Sequence, residues 1–157
     1  MLATTLNMHC DILEQITKAS KELGKSRRYI IILLLKRIMR DHQGLMRGFT
    51  TIKYQPDDDR ENWHCFHIRF KQDEYEFFSD LRKFCKYSVS FLVAMAVDKH
   101  LDQILADKID NVDNYANFNN YVLHQEIIGG IISTYLFWGY PEEHLKTIIP
   151  LEDAFQT

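Results

Sequence analysis

The chain has 157 residues, of which 46% are hydrophobic and 13% aromatic, a composition that excludes a disordered protein and suits one ordinary domain or two small ones sharing a core. Its net charge of −3 is unevenly distributed: residues 1–54 carry ten Lys and Arg against four Asp and Glu, and residues 106–157 carry two against eight. Three sparse cysteines exclude a disulfide framework, and the sequence shows no leader and no apolar run of membrane-spanning length. We therefore expect a cytoplasmic protein with a basic N-terminal end suited to a polyanion and no contact with a membrane.

The N-terminal third predicts a strand followed by two helices. Apolar and polar residues alternate over positions 4–8, which is typical of a short half-buried strand. From Asp11 the apolar residues recur at helical spacing until Gly24, which supplies a helix stop. A second helix begins at Ser26 and continues to about Arg40, and it is apolar on nearly every side. We expect this second helix to be buried.

The same pattern returns 62 residues later without a gap. The matching pairs include Leu6 with Ile68, Met8 with Phe70, Asp11 with Asp73, Lys21 with Lys83, and Ser26 with Ser88. A match that keeps both the strand period and the helix period in phase indicates an internal repeat. The predicted organisation is a first module over residues 1–42 and a second over residues 63–106. Residues 43–62 form a linker in which residues 50–55 are a candidate extra strand.

The remaining residues, 107–157, are expected to form a helical extension. A long apolar segment over residues 115–137 predicts a helix, although the pair Gly129–Gly130 would weaken its middle. Such a helix would either pack on the helices of the two modules or serve as an interface for a homo-oligomer or an effector.

Each module resembles the ribbon-helix-helix DNA-binding family of the Arc/MetJ/CopG type. The stretches that carry the resemblance are TTLNMHCDILEQITKASKELGKSRRYIIILLLKRIM and FHIRFKQDEYEFFSDLRKFCKYSVSFLVAMAVDKHL. The second departs from the family pattern, because Lys86 stands where the turn glycine is expected. The resemblance implies a mainly α fold with a two-stranded antiparallel ribbon, made by residues 4–8 and 66–70 of one chain. Four helices would lie beneath the ribbon, and the two modules together would form a tandem pseudo-dimer.

The resemblance also implies a function and a set of contact residues. The protein would be a sequence-specific binder of double-stranded DNA, and a transcriptional regulator, that inserts its ribbon into the major groove. The outward side chains that would contact bases are Thr5, Asn7, His67 and Arg69. The residues expected to hold phosphates at the starts of the second helices are Lys25, Ser26, Arg27, Arg28, Lys86, Ser88 and Ser90.

Other functions remain open at this stage. The alternative is a protein–protein interaction module, similar to an antitoxin or a relaxosome accessory factor, that retains the fold. The sequence carries no phosphate loop and no nucleophile elbow, so an enzyme is not expected. Neither a cofactor nor a metal is expected, because His64, Cys65 and His67 lack the usual ligand spacing.

Overall fold

The computed structural model describes residues 2–40, 51–56, 60–107 and 121–138. These residues belong to two compact units, Met1–Ala116 and Asn117–Thr157. The elements of the first unit are β1 (Leu2–His9), α1 (Cys10–Leu23), α2 (Arg27–Arg40), a short 3-10 turn (Arg60–Asn62), β2 (Trp63–Phe70), α3 (Gln72–Cys85) and α4 (Val89–Ala106). The second unit contains β3 (Tyr121–Ile128) and β4 (Ile131–Trp138). The described fold is therefore mainly helical, with two small antiparallel sheets.

The two strands of the first unit pair with each other, as the sequence predicts. β1 and β2 are antiparallel over their whole length, with Thr4 opposite Ile68 and Leu6 opposite Phe66. Because successive side chains of a strand point to opposite faces, one face of this ribbon can be buried while the other meets solvent. Leu6, Met8 and Ile68 are almost fully buried, and the alternate positions are exposed. The predicted antiparallel pairing of the two strands within one chain is confirmed, and residues 4–8 lie opposite 64–68.

The buried core lies beneath this ribbon and is dominated by the second helix of each half. α2 packs against α4, and α1 contacts both of them. The fully buried aliphatic side chains of this layer include Ile30, Ile31, Leu34, Leu35, Ile38, Leu92 and Val93. Each such side chain contributes roughly 1.5–3 kcal/mol when it leaves water, so these two helices supply much of the hydrophobic stabilisation.

In the described part of the chain, no helix combines the length and the apolar character needed to cross a membrane.

Left-handed residues end the first helix of each half. Gly24 follows α1 with φ of 61°, and Lys86 follows α3 with φ of 58°. Both backbone N–H groups donate to carbonyls in the preceding helical turn, so both positions close the helix in the same way. Lys86 adopts a conformation that glycine reaches without a steric cost, whereas its Cβ makes that conformation unfavourable. Lysine in place of the expected glycine therefore raises the conformational energy of this turn without changing its backbone geometry.

The linker contributes one backbone bridge in place of the expected extra strand. Thr50 lies outside the described residues, and within Thr51–Gln55 only Lys53 pairs, with Tyr87 in the turn before α4. The Lys53 N–H donates to the Lys86 carbonyl over 2.7 Å, and the Lys53 carbonyl accepts from the Ser88 N–H over 2.8 Å. A turn offers a single pair of free backbone groups, so the pairing does not extend into a strand.

The expected helix over residues 115–137 is wrong, because the described part of that segment is a β-hairpin. β3 and β4 pair from Tyr121 with Trp138 to Ile128 with Ile131, and residues 115–120 lie outside the described residues. Gly129 and Gly130 connect the strands with φ of 59° and 80°. Two consecutive positive φ values are what a two-residue hairpin turn requires, and the same pair of glycines disfavours a helix. The isoleucines on either side of this turn, Ile127, Ile128, Ile131 and Ile132, are 57–74% exposed.

The two left-handed positions provide a matched stability test. Gly24→Ala should lower the free energy of unfolding by about 0.5–1 kcal/mol, because a Cβ is disfavoured at positive φ even though no atom lies within 4 Å of it. Lys86→Gly should raise the free energy of unfolding by about 0.5 kcal/mol, because the strain it relieves exceeds the entropy that glycine adds to the unfolded chain. Urea denaturation followed by circular dichroism measures both changes. Shifts of the same sign in the two variants would contradict this account of the turns.

Candidate nucleic-acid interface

The outer face of the ribbon brings together all four side chains that the sequence nominates for base contacts. Thr5 lies directly opposite His67, and the Thr5 Oγ1 and His67 Nδ1 atoms are 3.0 Å apart. Asn7 lies opposite Cys65, whose thiol donates to the Asn7 Oδ1 over 3.9 Å. All of these residues are exposed. The face therefore presents hydroxyl, imidazole, amide and thiol groups in two cross-strand pairs.

Arg69 extends the same face toward the N-terminal end of β1. It lies opposite Ala3, and both residues are exposed. The guanidinium of Arg69 has no polar partner among the residues that the structure describes, and the residue opposite it has only the small side chain of alanine. A guanidinium in this position can donate two parallel hydrogen bonds to an external acceptor.

The start of α2 forms a basic corner beside the ribbon. Ser26 caps the helix, since its Oγ accepts from the Tyr29 N–H over 3.1 Å. The guanidinium carbon of Arg27 lies 4.8 Å from the centre of the Phe66 ring on β2, and the Lys25 Nζ lies 5.6 Å from the centre of the Tyr29 ring. Cation–π contacts of this kind hold the two cations close to the helix end without neutralising them. Ser26 and Arg27 are exposed, so an anion can reach this corner.

Arg28, which the sequence also nominates for phosphate binding, is bound within the protein. Its guanidinium forms an ion pair with Glu74, and its Nε donates to the Arg69 carbonyl over 2.8 Å. Glu74 is only 5% exposed and also accepts from the Lys71 N–H over 2.7 Å. A buried carboxylate needs such partners, because an unpaired charge is costly to remove from water. Arg28 therefore connects the start of α2 to β2 and α3, and we assign it a structural contact in place of a phosphate contact.

The start of α4 is capped in the same way as the start of α2, but it also bonds to β1. Ser88 caps α4 by accepting from the Phe91 N–H over 3.2 Å, and the Ser90 Oγ accepts from the Asn7 N–H of β1 over 3.1 Å. Ser88 and Ser90 are half-buried, as is Lys86. Of the residues nominated here for phosphate contacts, Ser88 and Ser90 are thus already engaged in capping the helix and in holding the strand.

A cleft of about 410 Å³, which the sequence analysis did not predict, lies between β1 and the start of α4. The residues that line it besides β1 and the first residues of α4 are Tyr54, Gln55, Trp63 and Arg82. Arg82 donates to the Tyr54 hydroxyl over 3.2 Å, which fixes the linker against α3. The sequence predicts only a candidate strand over residues 50–55, which does not specify the element that the segment contacts.

One group of side chains in the described residues has the proximity that a metal site needs. Atoms of His9, Cys10 and Asp11 lie within 4.8 Å of one another at the start of α1. Their closeness follows from helix capping, since the His9 Nδ1 accepts from the Asp11 N–H over 3.3 Å and the three residues are consecutive. The group is accounted for by the start of the helix, and we assign no metal to it.

The chain matches no protein-family model, no curated protein and no solved structure.

The ion pair of Arg28 predicts a stability effect that its exposed neighbour does not share. Arg28→Ala should lower the free energy of unfolding by about 2 kcal/mol, because it leaves the Glu74 carboxylate buried without its cation. The loss is smaller than for a fully buried pair, since solvent reaches about a third of the arginine side chain. Arg27→Ala should cost less than about 1 kcal/mol, since it removes one exposed cation–π contact. Urea unfolding of both variants measures the difference.

A second substitution identifies the cause of that effect. Glu74→Gln in the Arg28→Ala background should restore part of the lost stability, because an amide is less costly to bury than an unpaired carboxylate. Additive losses from the two substitutions would show that the ion pair is not the source.

Proposed function

We propose that this protein binds double-stranded DNA sequence-specifically as a tandem ribbon-helix-helix pseudo-dimer, and that it acts as a transcriptional regulator. The observation that carries the proposal is the outer face of the β1–β2 ribbon. Four side chains able to bond to base edges stand there together, above a buried face that needs none of them. A two-stranded ribbon fits the major groove, which is about 12 Å wide.

The chemistry of the face suits base recognition. Asn7 can donate to and accept from an adenine edge, and Arg69 can donate twice to guanine. The Thr5 methyl group can contact a thymine methyl, while its hydroxyl stays within hydrogen-bonding distance of His67. Because β1 and β2 carry different outward residues, the two halves of a bound site would differ in sequence.

The basic corner at α2 supports the same proposal. Backbone N–H groups and the positive end of the helix dipole favour an anion there, and Lys25 and Arg27 add two cations. Phosphate contacts of this kind position a protein on the duplex and are independent of sequence. The ribbon would then provide specificity, and the helix end would provide affinity that depends on salt.

The order of elements supports the tandem arrangement. β1–α1–α2 is followed by β2–α3–α4, the two left-handed turns lie 62 residues apart, and the two strands pair within one chain. This is the arrangement that two ribbon-helix-helix modules would take if one chain contained both.

A protein–protein interaction module is the second candidate, and one observation favours it. Ile127, Ile128, Ile131 and Ile132 are exposed at the tip of the hairpin, where apolar side chains are typical of a surface that binds another protein. Titration against random-sequence duplex DNA at several salt concentrations separates the candidates. Affinity that falls steeply with salt supports DNA binding, whereas no binding at low salt supports the interaction module.

The base-reading proposal predicts position-specific losses. Duplexes selected from a randomised pool by the wild-type protein provide the target, and scrambled versions provide the reference. Asn7→Ala and Arg69→Ala should each lose about 1–3 kcal/mol of discrimination at one base position, because each removes a bond to a base edge. Both residues are exposed, so circular dichroism should show an unchanged fold. Wild-type discrimination in both variants would exclude the ribbon as the reading element.

The phosphate proposal predicts a different result. Arg27→Ala should weaken binding to selected and scrambled duplexes alike, and it should lower the salt slope by about one. Lys99→Ala is the matched control: Lys99 is also exposed, but it lies ten residues after the first residue of α4, about 15 Å along the helix. Equal effects of the two substitutions would indicate a general charge effect in place of a contact at the α2 corner.

A further inference from the structure

The two helix starts that flank the ribbon differ in their access to solvent. Ser26 and Arg27 at the start of α2 are exposed, whereas Ser88 and Val89, 62 residues later, are half-buried. The difference coincides with the linker segment Thr51–Pro56, which we name the cover segment. Tyr54 and Gln55 of the cover segment line the same cleft as the first residues of α4.

Backbone hydrogen bonds hold the cover segment at the start of α4. The Lys53 carbonyl accepts from the Ser88 N–H, and the Lys53 N–H donates to the Lys86 carbonyl, over 2.8 and 2.7 Å. The N–H of Ser26, which corresponds to that of Ser88, has no such backbone partner in the part of the chain that the structure describes. An amide that already donates to a carbonyl is not available to an incoming phosphate oxygen.

The cations near the two helix starts lie at different positions of the repeat. Lys25 and Arg27 stand at the start of α2, and the corresponding residues before and within α4 are Tyr87 and Val89, which carry no charge. Lys86 precedes the cap of α4 by two residues, and Lys53 bonds to the backbone there, so cations are present at both helix starts. The Ser88 N–H is bonded and the Ser26 N–H has no such backbone partner, and this hydrogen bond is what distinguishes the two sides.

We propose that the cover segment makes the phosphate contacts of this protein one-sided. On this account, which rests on the proposed DNA binding, the start of α2 holds a phosphate on one side of the occupied major groove. The cover segment excludes the backbone on the other side from the start of α4. Phosphates stand on both sides of the groove, so this contact is available in either direction, and the unlike outward residues of β1 and β2 select the orientation on the duplex.

The test maps phosphate contacts on a duplex selected by the wild-type protein. Ethylation interference should identify sensitive phosphates on one side of the ribbon's groove only, for the wild-type protein and for Lys53→Ala. Lys53→Pro removes the same side-chain charge and, in addition, the N–H that bonds to Lys86. It should release the cover segment, add sensitive phosphates on the second side, and make the salt slope steeper by about one relative to Lys53→Ala.

Hydrogen exchange provides a readout that does not involve DNA. The Ser88 amide should exchange slowly in the wild-type protein and in Lys53→Ala, because the Lys53 carbonyl accepts its hydrogen bond. It should exchange at least tenfold faster in Lys53→Pro. Circular dichroism shows whether the proline variant is folded, and the wild-type interference pattern tests the proposal even if that variant is not.

The possible outcomes separate this inference from the function on which it depends. No binding by the wild-type protein to any duplex at low salt would refute the proposed function, and this inference with it. Binding with interference on both sides of the groove would refute only the one-sided contact. A salt slope that falls by about one in Lys53→Ala would also refute it, because Lys53 would then be a phosphate ligand itself. Identical behaviour of Lys53→Pro and Lys53→Ala would show that the cover segment does not control access.

Discussion

The antiparallel pairing of β1 with β2 is the interaction on which the first unit depends. Among the described strands, each has only the other as a partner, and a two-stranded ribbon is stable only with an apolar layer against one face. Leu6, Met8, Ile68 and Phe70 supply the ribbon's side of that layer, and the helices supply the other. The pairing joins two segments about 60 residues apart in sequence. The starts of α2 and α4 both contact the paired strands, since Arg28 bonds to the Arg69 carbonyl and Ser90 to the Asn7 N–H.

Much of the first unit could be predicted because its signals are local and agree with one another. Alternation over residues 4–8 and 66–70 specifies which face of each strand is buried, which excludes a slip by one residue. It does not distinguish registers that differ by two residues, and the observed one places residues 4–8 opposite 64–68. Gly24 marks the end of α1 because few other residues adopt its conformation at low cost. In the second module the residue type does not predict this turn, since Lys86 adopts the same left-handed conformation and lysine is not typical of a helix end of this kind.

The features that could not be predicted depend on which distant groups meet. An isoleucine pair before and after Gly129–Gly130 fits a helical face as well as two strands, and only the positive φ values at the glycines decide for the hairpin. The sequence shows Arg28 as one of several cations, and its removal from the candidate phosphate site follows from a buried carboxylate 46 residues away. Lys53 gave no signal either, because its contact uses backbone groups that every residue has.

The presence of both strands in one chain changes how the ribbon responds to dilution. A ribbon made by two chains dissociates as their concentration falls, so the amount of assembled protein varies with the square of the free chain concentration. Here the two strands are joined covalently, and the cost of bringing them together is a loop-closure entropy that is independent of concentration. The ribbon therefore persists on dilution, and the fraction of chains that contain a paired ribbon does not depend on the amount of protein. Each strand is also free to acquire substitutions that its partner does not share.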